Sequence, residues 1–462
     1  MLSLANVSRL ERRAAIGLAS IYGLRMLGMF LILPVFVLYA NSIKGGDDHL
    51  LVGIALGTYG LTQAFLQLPF GMASDVFGRK RIIYLGLTLF ALGSFIAASA
   101  DDIYMLIFGR AIQGMGAISA AVMALLADLT REEHRTKAMA VIGATIGVVF
   151  ALSLVSGPAL NAAIGVPGIF ALTGVLAIVG IGVVHSYVPD AAPCHFHSDA
   201  EVNKGRLVDV LRDMQLLRLD FGVFCLHALL MAIFVVVPQI LVSKGGLALS
   251  EHWQVYLPVM LLSFVVMAPL IIYAEKRVKL KSVFIWAIIA LIAGEAAMLL
   301  AGGLAGLLVA LLIFFIGFNV LEASLPSLVS KMAPAALKGT ALGVYNTSQS
   351  LGLFSGAAMG GLLYEHYGAR VVFVFGLGLS SLWLLLASGM RPPPAVRSKV
   401  YHIAAMSKED ARVLAARLLA LHGVVEAAVL PEEGAAYLKV DAFHWDERQV
   451  VELLEGEKHG IS

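Results

Sequence analysis

Five ionisable side chains lie inside long apolar runs of the sequence: Arg25, Arg110, His227, Glu295 and Glu322. A charged group at the centre of a membrane helix costs about 2.5–3.5 kcal/mol, so it usually faces a cavity or a partner. A buried carboxylate binds its proton more tightly than one in water, and histidine titrates near neutrality. These residue types therefore indicate a site that binds and releases protons.

Glu322 is the best candidate for a proton carrier, because a proton and a cationic molecule would compete for one negative site. The alternative is that Glu322 is the fixed ionic partner of Arg25 or Arg110. Structural roles are also open for the rest: a tie to carbonyl groups for Arg110 and a helix–helix tie for Arg25. His227 could be a hydrogen-bonded filler, and Glu295 could be satisfied by a neighbouring helix.

Further polar side chains occur in the same runs and predict a polar cavity lining: Gln63, Gln113, Asn346 and Gln349. Hydrogen bonds between packed helices explain them equally well. Asp220 lies at the edge of an apolar run and is interpreted as interfacial. The Cys-His-Phe-His segment at 194–197 has no second ligand pair at zinc-finger spacing, so no metal site is predicted.

The composition excludes an ordinary soluble enzyme. Charged residues make up 14% of the 462 residues, against about 25% in soluble proteins. A net charge of +2 gives no electrostatic reason to expect nucleic-acid binding. The chain is therefore predicted to be a multi-pass protein whose main partner is the lipid bilayer.

Runs of about 20 apolar residues predict membrane helices, and we find twelve: 14–40, 50–72, 82–100, 103–127, 138–163, 168–188, 219–242, 253–274, 282–302, 304–330, 339–363 and 370–390. If both termini are cytoplasmic, the cytoplasmic loops and flanks carry 22 Lys and Arg residues and the other side carries 3. The positive-inside rule then places both termini in the cytoplasm, as in a bacterial inner-membrane protein.

The domain organisation follows from these runs. Residues 1–188 and 219–390 are predicted to form two six-helix bundles, and 189–218 a cytoplasmic linker with an amphipathic helix over Arg206–Leu217. A proline-rich linker at 391–399 leads to a soluble module over 400–462. The pattern predicts a βαββα ferredoxin-like fold with a vestigial last strand, in which Tyr437 and Lys439 face outward.

The two halves also resemble each other in sequence. At an offset of 203 residues, Gly157 matches Gly360 and Gly165 matches Gly368. A duplicated six-helix unit is typical of transporters that bind substrate between their halves and rock one half against the other.

The loop between the second and third runs carries Gly71, Asp75, Gly78, Arg79, Lys80 and Arg81. A positive-inside loop would explain the three cations but not Asp75 with the two glycines. This loop resembles the G-x-x-x-D-x-x-G-R-K/R-x motif of the major facilitator superfamily. Arg110-Ala111-Ile112-Gln113-Gly114 is similar to its R-x-x-Q-G motif, and the C-terminal module resembles that of YajR-type drug:proton antiporters.

The resemblance implies an α-helical fold of twelve spans and a conformational latch on the cytoplasmic side. Asp75 would contact the start of span 11 at Gly339 and Thr340, and Arg79 would pair with Asp128. Gly157 and Pro158 resemble the end of the antiporter motif. That motif is incomplete, because Ala144 and Ser153 stand where glycines are expected.

The expected function is therefore proton-coupled efflux of lipophilic or cationic small molecules, with the proton as coupling ion and no other cofactor. One alternative is a sugar or metabolite transporter of the same fold. Another is a membrane sensor that signals through the C-terminal module. We expect a monomer, whose C-terminal module either self-associates or binds a regulator.

Overall fold

A computed structural model describes residues 8–130, 132–190, 204–277, 279–334, 337–392, 396–403, 406–431, 434–441 and 444–460. Within these residues, nine helices are long and apolar enough to cross a membrane. One of them is a 46-residue stretch, Val141–Ser186, which at 1.5 Å per residue is about 69 Å long and can cross twice. Together with the more polar first and eleventh spans, this accounts for the twelve predicted crossings.

The helices are bounded as follows: α1 Arg9–Phe30, α2 Phe36–Ala40, α3 His49–Phe77, α4 Arg79–Ala98, α5 Ile103–Gly114, α6 Ser119–Asp128, α7 Glu132–Ser186, α8 Lys204–Arg212, α9 Met214–Ser243, α10 Trp253–Lys276, α11 Leu280–Leu300, α12 Leu304–Met332, α13 Lys338–Tyr367, α14 Ala369–Ser388, α15 Lys408–Leu419 and α16 Glu447–Gly460. The strands are β1 Val396–His402, β2 Val424–Leu430 and β3 Ala435–Asp441.

The chain turns between spans 5 and 6 at Gly165, inside α7. Gly165 has φ 69° and ψ 170°, and Gly368, which separates α13 from α14, has φ 76° and ψ −178°. Only glycine adopts this conformation readily. The two glycines that match in the sequence repeat thus make the same backbone turn in the two halves.

Two spans predicted as single helices are broken in the structure. Span 1 divides into α1 and α2 around Pro34, which lacks an amide hydrogen and clashes with the preceding turn. Span 4 divides into α5 and α6 around Gly114 and Gly116. A Cβ on Gly114 would lie 2.2 Å from the carbonyl oxygen of Tyr59, so this break accommodates close backbone contact with α3.

The predicted amphipathic helix over Arg206–Leu217 is also interrupted. The Asp213 side chain accepts hydrogen bonds from the backbone N–H groups of Gln215 and Leu216. This N-cap begins α9 at Met214 and ends the preceding helix, α8, at Arg212.

We call the end of the bundle that carries the Gly71–Arg81 loop the basic end, and the end that carries Gly165 and Gly368 the opposite end. Helices α3 and α13, one from each half, are in backbone contact toward the opposite end. A Cβ on Gly53 would lie 2.3 Å from the carbonyl oxygen of Ala357, and one on Gly361 would lie 2.3 Å from that of His49. The halves are therefore closed against each other there.

A polar contact reinforces this closure. The backbone N–H of His49 donates to Glu365 Oε2 at 3.0 Å, and the rings of His49 and Tyr364 meet edge to face at 4.8 Å. The carboxylate of Glu365 thus caps the first turn of α3 across the interface between the halves.

The C-terminal module is a three-stranded antiparallel sheet in the order β1-β3-β2. Its core contains Leu414 and Leu418 of α15, Leu438 and Val440 of β3, and Val450 of α16. The Ser407 side chain caps α15, as its sequence predicts. The described residues contain no fourth strand, since α16 continues to Gly460.

The expectation that Tyr437 and Lys439 face outward is wrong, because both are buried to 4% exposure. Lys439 Nζ donates to the carbonyl oxygens of Lys331 and Ala333, at the end of α12. Its charge is balanced by Glu426 Oε2 at 3.1 Å. The outer face of the sheet is therefore docked on the basic end of the second bundle.

We expect Gly53→Leu to open the opposite end, because the added side chain cannot fit against Ala357. Spin labels at the exposed Ser42 and Tyr367 would report the distance between the halves in pulsed electron paramagnetic resonance. The variant should populate a longer distance, whereas Gly182→Leu, which meets nothing within 4 Å, should not. An unchanged distance distribution in Gly53→Leu would contradict the closure.

We expect Lys439→Ala to loosen the docked module, because a lysine at a helix C-terminus contributes about 0.3–1 kcal/mol, and more when partly buried. Hydrogen exchange should accelerate in the last turn of α12 and in β3. Lys399→Ala is the matched control, since Lys399 pairs with Glu447 inside the module at 2.9 Å. Equal exchange in both variants would argue against the docking role.

Candidate functional site

The first half contains an arginine cluster, formed by Arg25, Arg110, Tyr59, Gln113 and Ser119. Arg25 Nη1 donates to Ser119 Oγ at 2.8 Å. Arg110 Nη1 donates to Gln113 Oε1 at 2.6 Å, and its Nη2 donates to the carbonyl oxygen of Leu56 at 3.1 Å. Both guanidinium groups lie over the ring of Tyr59, at 5.9 and 5.0 Å.

Neither arginine pairs with a carboxylate in the part of the chain that the structure describes. Arg25 Nε and Nη2 and Arg110 Nε are buried without hydrogen-bond partners there. The hydrogen bond of Arg110 to the carbonyl oxygen of Leu56 agrees with the structural role that the sequence left open for it. Arg25 connects α1 to the start of α6 through Ser119. The fixed ion pair with Glu322 is not made in this conformation.

The second half contains an acid–histidine cluster of Glu322, His227 and Gln349. His227 Nε2 lies 3.6 Å from Glu322 Oε2 and 2.7 Å from Gln349 Nε2. The His227 side chain is 4% exposed, whereas that of Glu322 is 27% exposed. A buried imidazole therefore stands beside a partly exposed glutamate, whose Oε2 is itself buried without a hydrogen-bond partner in the described residues.

The hydrogen bonds of His227 indicate where its proton sits. Nδ1 lies 3.1 Å from the carbonyl oxygen of Val223, which can only accept, so Nδ1 carries hydrogen. In the neutral ring Nε2 is then an acceptor and takes a hydrogen bond from the Gln349 amide. Protonation of Nε2 would direct a donor toward Glu322 and require the amide of Gln349 to turn over.

Two buried tyrosines interact electrostatically with residues near both clusters. Tyr22 is buried close to Ser119 and Arg25, and it also interacts electrostatically with Glu322. Tyr345 is within electrostatic range of Glu322, Asp220 and Tyr22. The arginine cluster and the acid–histidine cluster thus face each other across the middle of the protein.

Glu295 is not brought to this site. A Cβ on Gly376 of α14 would lie 2.6 Å from Glu295 Cδ, so the carboxyl group is packed against α14. Of the other predicted cavity residues, Gln113 and Gln349 belong to the two clusters. Gln63 is buried, and Asn346 is half-buried on α13.

Asp220, predicted to be interfacial, is 5% exposed and is therefore covered by protein near the start of α9. It lies seven residues before His227 on α9, a spacing that places both on one helix face. That spacing is the signal that could have identified it.

The loop network at the basic end centres on Arg79, which is 4% exposed. Arg79 pairs with Asp75, donates to Ser74 Oγ at 2.9 Å, and lies 3.2 Å from Asp128 Oδ2. The Arg79–Asp128 pair implied by the family resemblance is thus present. Gly78 precedes Arg79 with φ 96°, a conformation that favours glycine.

The expected latch to span 11 is not formed in this conformation. In the described part of the chain, the ion pair of Asp75 is with Arg79 of its own half, and no hydrogen bond joins it to Gly339 or Thr340. A Cβ on Gly71 would meet Ala120, also in the first half. The motif therefore braces the first half here while the opposite end is closed.

The other motif residues have structural partners. Lys80 Nζ lies 2.6 Å from Asp190 Oδ1, and this contact lowers the pKa of that carboxyl. Arg81 is exposed. A Cβ on Gly157, beside Pro158, would lie 2.5 Å from the carbonyl oxygen of Leu31, so Gly157 admits the break in span 1.

The Cys-His-Phe-His segment at 194–197 lies outside the described residues. Among the described residues, no three His, Cys, Asp or Glu side chains are grouped as a metal site would require.

We expect Arg79→Ala to lower the stability of the purified protein, because removing one partner of a buried ion pair costs about 3–5 kcal/mol. The measurement is the denaturation midpoint in detergent. Arg81→Ala should change stability by only about 0–1 kcal/mol, because exposed charges contribute little. Similar midpoints for the two variants would contradict the bracing role.

Comparison with known proteins identifies the family. Residues 18–357 match the Major Facilitator Superfamily, and residues 404–453 match the YajR YAM domain. The chain is 44% identical to the inner membrane transport protein YajR of Escherichia coli K12, over 94% of this chain and 95% of that protein. It is 24% identical to the multidrug resistance protein MdtH of Aeromonas salmonicida, over 81% and 95%.

The fold is shared with a bacterial homologue of the human lysosomal transporter Spinster, which was solved in an inward-facing and occupied conformation. The TM-score is 0.67, with 15% sequence identity, and the match covers 83% of this chain and 98% of that one. The chain therefore belongs to the Major Facilitator Superfamily, as a multi-pass inner-membrane transporter, not an enzyme, with a YajR YAM domain at its C-terminal end.

Proposed function

We propose that this protein is a proton-coupled antiporter that exports lipophilic or cationic small molecules. The observation that carries the proposal is the proximity of His227 Nε2 to Glu322 Oε2 within the second half. A base and an acid 3.6 Å apart can hold one proton between them. A cationic substrate and that proton would compete for the same negative charge, as antiport requires.

The surroundings of the pair support this assignment. The rings of Phe315 and Phe318 of α12 pack at a tilt against that of Phe150 of α7, with centroid distances of 6.4 and 5.6 Å. These aromatic faces join the two halves beside His227, whose ring lies 6.2 Å from Phe318. Aromatic surfaces suit lipophilic substrates and bind organic cations through their π-faces.

Alternating access would use both ends of the bundle. The α3–α13 contact closes the opposite end, and the Arg79 network braces the first half at the basic end. We propose that the basic end faces the cytoplasm, on the 22 to 3 bias of Lys and Arg. Substrate would then enter from the cytoplasm in the present conformation and leave after the α3–α13 contact opens.

The arginine cluster favours a second candidate, the transport of a metabolite. Two guanidinium groups without a carboxylate partner in the described residues leave positive charge in the first half. Such a charge repels a bound cation and would attract an anionic group. The two candidates thus differ in the sign of the charge that the substrate carries.

For partners we propose a small-molecule substrate and the bilayer, with no cofactor beyond the proton. The protein would act as a monomer. Because the C-terminal module is docked through Lys439, self-association or binding of a regulator would be sensed at the end of α12.

The test is proton flux in liposomes that contain the purified protein and a lumenal pH dye. Ethidium should drive flux, and Glu322→Gln should reduce it at least tenfold, because the amide binds no proton. Glu295→Gln is the matched control: it makes the same change at a carboxylate outside the site, and should retain flux. Flux with 2-naphthoate but not with ethidium would favour the metabolite candidate.

A further inference from the structure

We propose that Asp220 is a second proton-binding site, which exchanges protons with the acid–histidine cluster through Tyr345. This inference rests on the proposed proton coupling and names the route by which the proton reaches the basic end.

The first observation is the isolation of the Asp220 carboxyl group. The residue is 5% exposed, and neither of its oxygens has a hydrogen-bond partner in the described chain. Asp220 is the seventh residue of α9, about 9 Å along the helix from its start. An ionised carboxylate without a partner is costly in apolar surroundings, and a bound proton removes that cost.

The second observation is the set of charges around it. Arg218, on the same helix, donates its guanidinium to the carbonyl oxygen of Gly389. From α14, the uncharged Trp383 lies against Gly222. On α8, Asp209 and Arg212 are exposed.

From α13 the nearby titratable group is Tyr345, which also interacts electrostatically with Glu322 of α12. The described residues thus place no cation within ion-pair distance of Asp220. A proton is the positive charge that this site can take up.

The third observation is a graded line of polar groups. Asp220 and Tyr345 lie six and seven residues from the starts of their helices, which is about 9–11 Å at 1.5 Å per residue. Glu322 lies ten residues from the end of α12, about 15 Å deep, and His227 lies about 20 Å deep. The line leads from the basic end to the centre of the second half.

Tyr345 can connect the two sites. Its hydroxyl is buried without a hydrogen-bond partner in the described residues, and the side chain is within electrostatic range of both carboxyl groups. The hydroxyl can accept hydrogen from Asp220 while its own hydrogen passes toward Glu322, with water bridging the gaps. One proton moves inward, Asp220 becomes ionised, and Tyr345 is neutral before and after the step.

The arrangement separates two tasks between the halves. The first half carries the latch motif and its arginines. The second half carries the proton sites, on α9, α12 and α13. While the opposite end is closed, a proton from Glu322 could leave by way of Asp220 at the basic end.

The test uses the full-length protein in lipid and infrared difference spectroscopy over a pH titration, without substrate. Asp220→Asn should lose one protonated-carboxyl band and keep the band that disappears in Glu322→Gln. Asp209→Asn, which changes an exposed acid on α8, should keep both bands. Asp220→Glu should restore the lost band.

Flux in liposomes provides the second readout. With ethidium as the probe, Asp220→Asn should slow proton flux at least tenfold, and Asp209→Asn should leave it unchanged. A wild-type spectrum or wild-type flux in Asp220→Asn would overturn the proposal. If the wild type shows no flux with ethidium or 2-naphthoate but Asp220→Asn still loses its band, the proton site stands and the antiporter assignment fails.

Discussion

The structure depends on one constraint: a charge inside the bundle must be stabilised by the protein, because hydrocarbon offers no hydrogen bonds. The two halves meet this constraint differently. In the first half, Arg25 and Arg110 are held by a serine hydroxyl, an amide, a backbone carbonyl and the face of Tyr59. In the second half, Glu322 Oε2 lies 3.6 Å from His227 Nε2. Opposite charges therefore face each other between the halves.

Conformational change must act on the contacts that join the halves. At the opposite end, glycines bring the backbones of α3 and α13 together, and Glu365 bonds to the start of α3. At the basic end, Asp75 and Asp128 both bind Arg79 within the first half. The family motif assigns Asp75 to a contact with α13. When the opposite end is closed, Asp75 instead pairs with Arg79 of its own half.

The C-terminal module adds a third point of contact. Lys439 reaches the last carbonyl groups of α12, the helix that carries Glu322 near its middle. A partner that displaces the module would free the end of a helix on which the proton site is built. This geometry connects the regulatory role suggested by the sequence with the transport site.

The sequence by itself determined the twelve spans, the internal repeat, the small α/β module and the membership of the family, because hydropathy and turn glycines are local properties of the chain. It also selected Glu322, His227 and Arg79 as candidate functional residues. It could not show which charged side chains lie close together, because Glu322 and His227 are about 95 positions apart in the sequence and on different helices. It placed Lys439 on an exposed surface and did not reveal that Asp220 is buried, since local patterns do not show which surface another domain or helix covers. The tertiary structure decided those burials, and with them the closed end of the bundle.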